Sequence, residues 1–277
     1  MRLFAFADEA SPMIDQQIAA MQRNGLNGLE IRGVDGTNVS EISLEKAKEV
    51  RGKLDDAGLI TWSIGSPIGK IDIEKDDFAA HVEKFKHTLQ IADVLGAQNV
   101  RMFSFFIPQG KNPADYQGEV IDRLNTLAEL ADGTGIDLCH ENEKGIYGDL
   151  APRCLQIHQQ VPALKAVFDP ANFVQCGQDT LQAWTLLKPY VKYMHIKDAM
   201  PDGRVVPAGR GSGNLPAILG EFAGFGRELT IEPHLAVFKG LQDLEREGET
   251  SNVGQYVYPS NDAAFDAACA ALKEILK

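Results

Sequence analysis

Four side chains able to bind a hard cation close four apolar runs in the second half of the chain: Glu141 in "IDLCHENE", Asp169 in "LKAVFDP", His195 in "VKYMHIKD" and Glu232 in "RELTIEP". Three carboxylates and one imidazole, arriving at the ends of consecutive strands, form a donor set suited to one divalent cation. Such a set supports proton transfer beside a carbonyl. The cation stabilises the negative charge that builds on two adjacent oxygens of an enediolate, acting as a Lewis acid. A carboxylate on each side can take a proton from one face of the carbon and return one to the other. Inversion at carbon needs both faces, whereas moving a carbonyl to the neighbouring carbon can use one carboxylate alone. A general acid–base step supplies roughly a hundred- to ten-thousand-fold, so positioning and the cation must provide the remainder. A metal-assisted enzyme is the leading expectation.

Each of these residues also has a plainer account. A single glutamate at a strand end is usually a solvated rim charge or a salt-bridge partner; the joint placement of four favours a shared cation. Glu143 lies two residues after Glu141 and points the same way along a strand, so it competes with Glu141 or supports it. Lys197 stands in the same relation to His195. It either binds a substrate oxygen, carboxylate or phosphate, or pairs with Asp169 or a glutamate. His234 follows Glu232 by two, and a hydrogen-bonded loop histidine is its plainer account. The segment "GRGSG" at 209–213 precedes a helix and offers Arg210 and backbone N–H groups to an anion, or is merely a tight turn. Glu30 and Arg32 close the second strand, Ser66 and Lys70 follow the third, and Arg101 lies within the fourth. Buried charges need partners, so a Glu–Arg network is expected at Arg101. Arg32 and Ser66 either join it or clamp substrate hydroxyls.

The elements that must position these groups alternate as strand and helix at intervals of about thirty residues, the length of a βα unit. Strands are expected at Leu3–Ala7, Gly28–Arg32, Ile60–Gly65, Asn99–Phe105, Ile136–Glu141, Ala163–Asp169, Tyr190–Ile196 and Glu228–Glu232. Several are continuous apolar runs, as a sheet covered on both faces requires. Ser11–Pro12 and Asn112–Pro113 read as N-cap and first-turn pairs. Phe78, Val82, Phe85, Leu89 and Ala92 form a helical stripe that ends at Gly96. Leu124, Leu127 and Leu130 do the same before Gly133, and Leu181, Trp184 and Leu187 follow the cap Asp179. The last helix runs from about Asn261 to Leu276. Eight such units predict an α/β fold: a (β/α)8 TIM barrel in a single domain. Two long connections, after His195 and after Glu232, should emerge at the carboxyl ends of strands and contact the substrate.

Composition narrows the partners. The chain has 277 residues, 44% of them hydrophobic, which suits one large core. A formal net charge of -12 repels polyanions, so nucleic acid is not the expected ligand. Cys139, Cys154, Cys176 and Cys269 show no metal or disulfide spacing, and "MRLFAFADEASP" lacks the pattern of a secretory signal. No apolar run reaches membrane-spanning length. A reduced, cytoplasmic protein without membrane partners is expected.

The motifs "CHENEKGIYGD", "FDPANF", "YMHIKDA", "VPAGRGSGNL" and "LTIEPH" resemble the sugar phosphate isomerase/epimerase family, whose members are xylose-isomerase-like TIM barrels. "FADEASP", "IGSPIGK" and "VRMFSFF" extend the likeness over nearly the whole chain. The resemblance implies one barrel domain over residues 1–277. It also implies one divalent ion, manganese foremost, with magnesium, cobalt or zinc as alternatives, held by Glu141, Asp169, His195 and Glu232. In the related ketose 3-epimerases the two glutamates act as acid and base on opposite faces of the sugar, which maps those roles to Glu141 and Glu232. Lys197, Arg210, Asn172, Glu143 and Ser66 are the expected substrate-binding residues. That branch carries a His three residues after the Asp and an Arg six after the metal His. Asn172 and Pro201 stand there instead, a departure from free-ketose 3-epimerisation.

The implied activity is isomerisation or epimerisation of a sugar, keto-sugar or sugar phosphate. The alternative is a lyase, expelling a β-hydroxyl from a keto-sugar or inosose after the same proton abstraction. An apurinic-site endonuclease, also similar, assembles three metals and needs extra histidines. With His81, His87 and His158 in predicted helices, only His140, His195 and His234 remain near strand ends, and the acidic charge opposes that reading. The expected partner is a small carbohydrate. Similar barrels are often dimers or tetramers, so a homo-oligomer is a further expectation.

Overall fold

Runs such as "GLEI" and "NVRM" are buried at every position, because helices cover one face of the sheet and the barrel interior covers the other. The computed structural model describes residues 1–226, 228–239, 241, 253 and 256–277. Its main strands are β1 (Arg2–Ala5), β2 (Gly28–Ile31), β3 (Ile60–Gly65), β4 (Asn99–Met102), β5 (Asp137–Glu141), β6 (Lys165–Phe168), β7 (Val191–Ile196) and β8 (Glu228–Ile231). All pair in parallel with their chain neighbours, and β1 closes the ring on β8 with Leu3 opposite Leu229.

The helices are α1 (Ile14–Arg23), α2 (Leu44–Asp56), α3 (Phe78–Leu95), α4 (Gln117–Ala131), α5 (Ala151–Gln160), α6 (Pro170–Gln175), α7 (Thr180–Leu187), α8 (Leu215–Phe222) and α9 (Asn261–Ile275). The expected stripe on α3 buries Phe85, Leu89 and Ala92, and Gly96 ends that helix in the left-handed conformation. Asp179 caps α7 by accepting from Gln182 N–H. No described helix is long and apolar enough to cross a membrane.

Several boundaries differ from expectation. Helix α1 starts at Ile14, not at Pro12; Ser11 Oγ accepts from Met13 N–H, while Asp35 accepts the Ile14 N–H at 2.9 Å from a distant turn. Arg32, Asp169 and Glu232 each stand one residue beyond their strands, and Phe103–Phe105 has left β4. Asp169 is instead the N-cap of α6, a helix absent from the sequence reading. Two short antiparallel ribbons, Gly33–Val34 with Thr37–Asn38 and Asp198–Ala199 with Val205–Val206, were also unforeseen. Half of the connection after Glu232 lies outside the described residues.

Within the barrel, the amino-terminal end is plugged by Phe4, Trp62, Cys139, Val167 and Tyr193, with Phe4 stacked on Trp62 at 5.1 Å. Tyr193 joins this plug to the charged layer above it, its hydroxyl donating to Glu30 Oε1 at 2.7 Å. A single large cluster fills the space between strands and helices, where each fully buried Leu, Ile or Phe contributes roughly 1.5–3 kcal/mol. This rigid wall holds the strand ends in fixed relation.

Candidate metal centre

Glu141 is the last residue of β5, His195 the last but one of β7, and Asp169 and Glu232 follow β6 and β8 directly. The barrel brings one potential ligand atom from each of the four within 4.8 Å of one another, all of them buried. His195 lies at the centre. Its Nδ1 is 2.9 Å from Glu141 Oε1 and 3.5 Å from Glu232 Oε2, while Nε2 is held by Glu30 Oε2 at 3.1 Å. Phe6 packs edge-on against the ring at 5.2 Å.

Backbone geometry aims the two ligands nearest the β5–β6 edge. Asp169 Oδ1 accepts the Asn172 N–H at 3.0 Å as the α6 cap, which leaves Oδ2 for the cluster. Asn142 clamps the strand ends together, donating to the Asp169 carbonyl and accepting the Asp169 N–H, both at 2.9 Å. Asn172 Nδ2 donates to the Asn142 carbonyl at 2.9 Å and to Glu141 Oε1 at 3.3 Å. It is thus placed to orient Glu141.

Cations balance the buried acids. Lys197 Nζ bridges Asp169 Oδ2 at 2.9 Å and Glu232 Oε2 at 2.8 Å. Arg101 Nη1 reaches Glu141 Oε2 at 3.2 Å and its guanidinium lies over Phe103. Arg32 is held by Asp8 at 2.8 Å and Glu9 at 3.1 Å, with Glu232 Oε1 at 3.5 Å. Burial alone would raise the Glu232 carboxyl, but Lys197, His234 and His195 hold it well below the usual carboxylate range. Burial pushes Asp169 up to about 7, with Glu232 and Glu141 adding to the shift against the pull of Lys197. Burial opposes the charged form of His195, yet Glu141 and Glu30 outweigh it and raise its pKa well above normal.

The donor set suits a divalent cation on two counts. Three carboxylates and one imidazole match manganese, magnesium, cobalt or zinc. Moreover, Glu141 Oε2 and Asp169 Oδ2 are buried oxygens met by the ion pairs to Arg101 at 3.2 Å and Lys197 at 2.9 Å but by no contact of hydrogen-bond geometry among the described residues, which leaves lone pairs for a cation. A second group, Glu9, Glu232 and His234, also gathers within 4.8 Å. Arg32 already lies against both of its glutamates.

Other expected residues fall differently. Glu143 pairs with Lys70 at 3.1 Å at the mouth. Ser66 is buried, its hydroxyl donating to the Arg101 carbonyl at 2.6 Å. Arg210 is exposed and touches none of the four cluster residues, since the glycine loop that carries it folds onto Asp198 instead. The network reading holds for Arg101 and also accounts for Arg32. Sequence reasoning missed the roles of Glu30, Asn142, Asp8 and Glu9; their position just at or after apolar strand ends was the available signal.

A family profile described as xylose isomerase-like TIM barrel matches residues 18–240. The chain belongs to that family. It is 22% identical over 213 residues to the 3-dehydroshikimate dehydratase of Bacillus anthracis, covering 71% of this chain and 74% of the relative. Among solved structures, an L-ribulose 3-epimerase superposes with a TM-score of 0.76 at 18% identity, covering 99% of this chain and 94% of that one. An IOLI protein with a bound zinc atom gives 0.75 at 15% identity, covering 100% and 98%. These likenesses establish the fold.

Proposed function

We propose that this protein is a divalent-metal-dependent isomerase or epimerase of a sugar, keto-sugar or sugar phosphate. The observation that carries the reading is the buried quartet Glu141, Asp169, His195 and Glu232, gathered at the carboxyl ends of the strands. These four residues are the proposed ligands, His195 through Nδ1. When bound, the cation supplies Lewis acidity toward charge developing on substrate oxygens. Glu232, kept ionised by Lys197, His234 and His195 against its burial, is in the state that a general base requires. Glu141, from a strand three places away in the ring, delivers or accepts the proton at the other face. Lys197, already 2.8 Å from Glu232, donates to a substrate oxygen, and Glu143 with Lys70 borders the entrance. Asn172 acts by orienting Glu141.

The likeness to a 3-dehydroshikimate dehydratase favours a second reading, a lyase in which the same base removes the proton and a β-hydroxyl departs as water. Product analysis separates the two. Protein loaded with Mn2+ and incubated in D2O with a panel of ketoses, keto-sugars and their phosphates is expected to incorporate deuterium beside the carbonyl. Chelation should abolish this and Mn2+ restore it. Exchange that survives complete metal removal would sink the metal-dependent reading; loss of water from the substrate would select the lyase.

Glu30 offers a separate check on His195. A carboxylate on the far nitrogen of a ligating imidazole fixes ring orientation, and its loss typically costs 10–100-fold in metal affinity, so about that loss is expected for Glu30→Gln. Calorimetric titration with Mn2+ measures it. Unchanged affinity would mean that His195 does not ligate as proposed.

A further inference from the structure

The glycine-rich loop 209–213, which could have cradled an external anion, is closed around an anion of the chain itself. Asp198 Oδ2 accepts from the backbone N–H groups of Gly209 at 3.0 Å and Gly211 at 2.9 Å, while Oδ1 accepts from Gly213 at 2.8 Å and Ala199 at 2.9 Å. A Cβ at Gly211 would stand 2.3 Å from Asp198 Oδ1 and 2.5 Å from the Ala199 carbonyl oxygen, so only glycine permits this approach. Asp198 itself is fully buried. The loop's three glycine N–H donors, which precede α8 after the seventh strand where barrels commonly hold phosphate, are all used internally.

The charge of the mouth points the same way. Each permanent cation there is already engaged: Arg32 by Asp8 and Glu9, Arg101 by Glu30 and Glu141, Lys197 by Asp169 and Glu232, and Lys70 by Glu143. Seven carboxylates thus face four permanent cations among the described residues. A divalent ion brings that sum toward neutrality, not to the positive potential that a phosphoryl group of charge about −2 needs.

We infer that Asp198 is a specificity-determining residue that occupies the anion cradle, and that the substrate is an uncharged polyhydroxylated ketone, such as a keto-sugar, keto-glycoside or keto-polyol, and not a phosphate ester. The substrate half of this inference rests on the isomerase/epimerase reading; the occupied cradle does not. Two measurements on the full-length protein, chelator-treated for the first and metal-loaded for the second, keep the failures apart. Equilibrium dialysis with labelled inorganic phosphate, with no cation present to bind the anion, tests the cradle alone. Binding weaker than about 10 mM is expected for the natural protein, and Asp198→Asn, which removes the internal negative charge and sets an NH2 group against two of the four N–H donors at nearly unchanged shape, should tighten it at least about tenfold. Submillimolar binding to the natural protein would overturn the inference whatever the catalytic outcome.

Deuterium exchange into matched pairs of free and phosphorylated keto compounds then tests the substrate. A ratio of kcat/KM above about 100 in favour of the uncharged member supports the proposal, and equal or inverted values overturn it. Absence of exchange from every compound would count against the isomerase/epimerase reading and the substrate assignment together, leaving the phosphate measurement to decide the role of Asp198.

Discussion

Replacing Glu232 or Glu141 with glutamine is expected to lower the rate of solvent-deuterium exchange by about a hundred- to ten-thousand-fold in each case. Glutamine keeps the volume and one acceptor oxygen but removes the charge and the proton affinity that a base needs. Breaking a buried ion pair can cost about 3–5 kcal/mol, which would confound the test if the abandoned cation had no other partner. Here each cation has one. Without the Glu232 charge, Lys197 retains Asp169, and Arg32 retains Asp8 and Glu9. Without the Glu141 charge, Arg101 keeps Glu30 at 4.0 Å and its place over Phe103, and His195 keeps Glu30. Folded, metal-loaded variants should therefore be obtainable at saturating Mn2+. Full activity in either one, at verified metal content, would rule out the two-carboxylate mechanism.

The second large effect concerns stability in acid. His158 is buried behind the barrel wall, stacked on Tyr190 at 5.3 Å, with Nδ1 donating to the Leu164 carbonyl and Nε2 lacking a hydrogen bond among the described residues. Burial pushes its pKa down to about 4 from the model-compound value of 6.5, the backbone bond to Leu164 opposing the shift. Below pH 6.5 the unfolded chain takes up a proton that the folded chain refuses. The stabilising contribution is accordingly present above that pH and is lost as pH falls toward 4, by about 2 kcal/mol at pH 5 and about 3 kcal/mol at pH 4. His158→Phe removes this dependence while keeping an aromatic ring against Tyr190. The difference in unfolding free energy between natural protein and variant, from urea titrations, should move by about 2 kcal/mol in the variant's favour between pH 7.5 and pH 5. A difference independent of pH would show that His158 takes up its proton as readily in the folded chain as in the unfolded one, against the expectation.

His81 extends the same logic to the entrance of the site. Its Nε2 accepts the Gly69 N–H at 2.8 Å, which requires the neutral ring, and burial pushes its pKa down to about 4. Gly69 has φ +86°, and a Cβ there would lie 2.1 Å from the Phe103 carbonyl oxygen. The turn that carries Lys70 is therefore held by a neutral histidine and a close backbone contact.

Much of this architecture was legible because strand and helix signals are local. Apolar runs bounded by Gly, Pro and Asp mark where a chain must bury both faces or turn, and Gly96 and Asp179 act as helix signals within a single turn of their own positions. The ligand candidates were readable for the same reason: a carboxylate at the end of a buried run has few places to go except the barrel rim. Boundary errors arose where a distant group intervened. Asp35 reaches back to cap α1, and Asp169 serves as cap to a helix that shares the signal "DP" with a strand end.

Which polar group meets which could not be read along the chain. The pairing of Glu30 with His195 Nε2, the clamp of Asn142 on Asp169, and the closure of three glycine N–H groups on Asp198 join residues separated by 165, 27 and 11–15 positions. The amino-acid order established the alternation of elements, the acidic surface charge and the hard-ligand set at the strand ends. The folded barrel alone assigned partners, because desolvated charges choose by distance in space, and ring closure decides those distances.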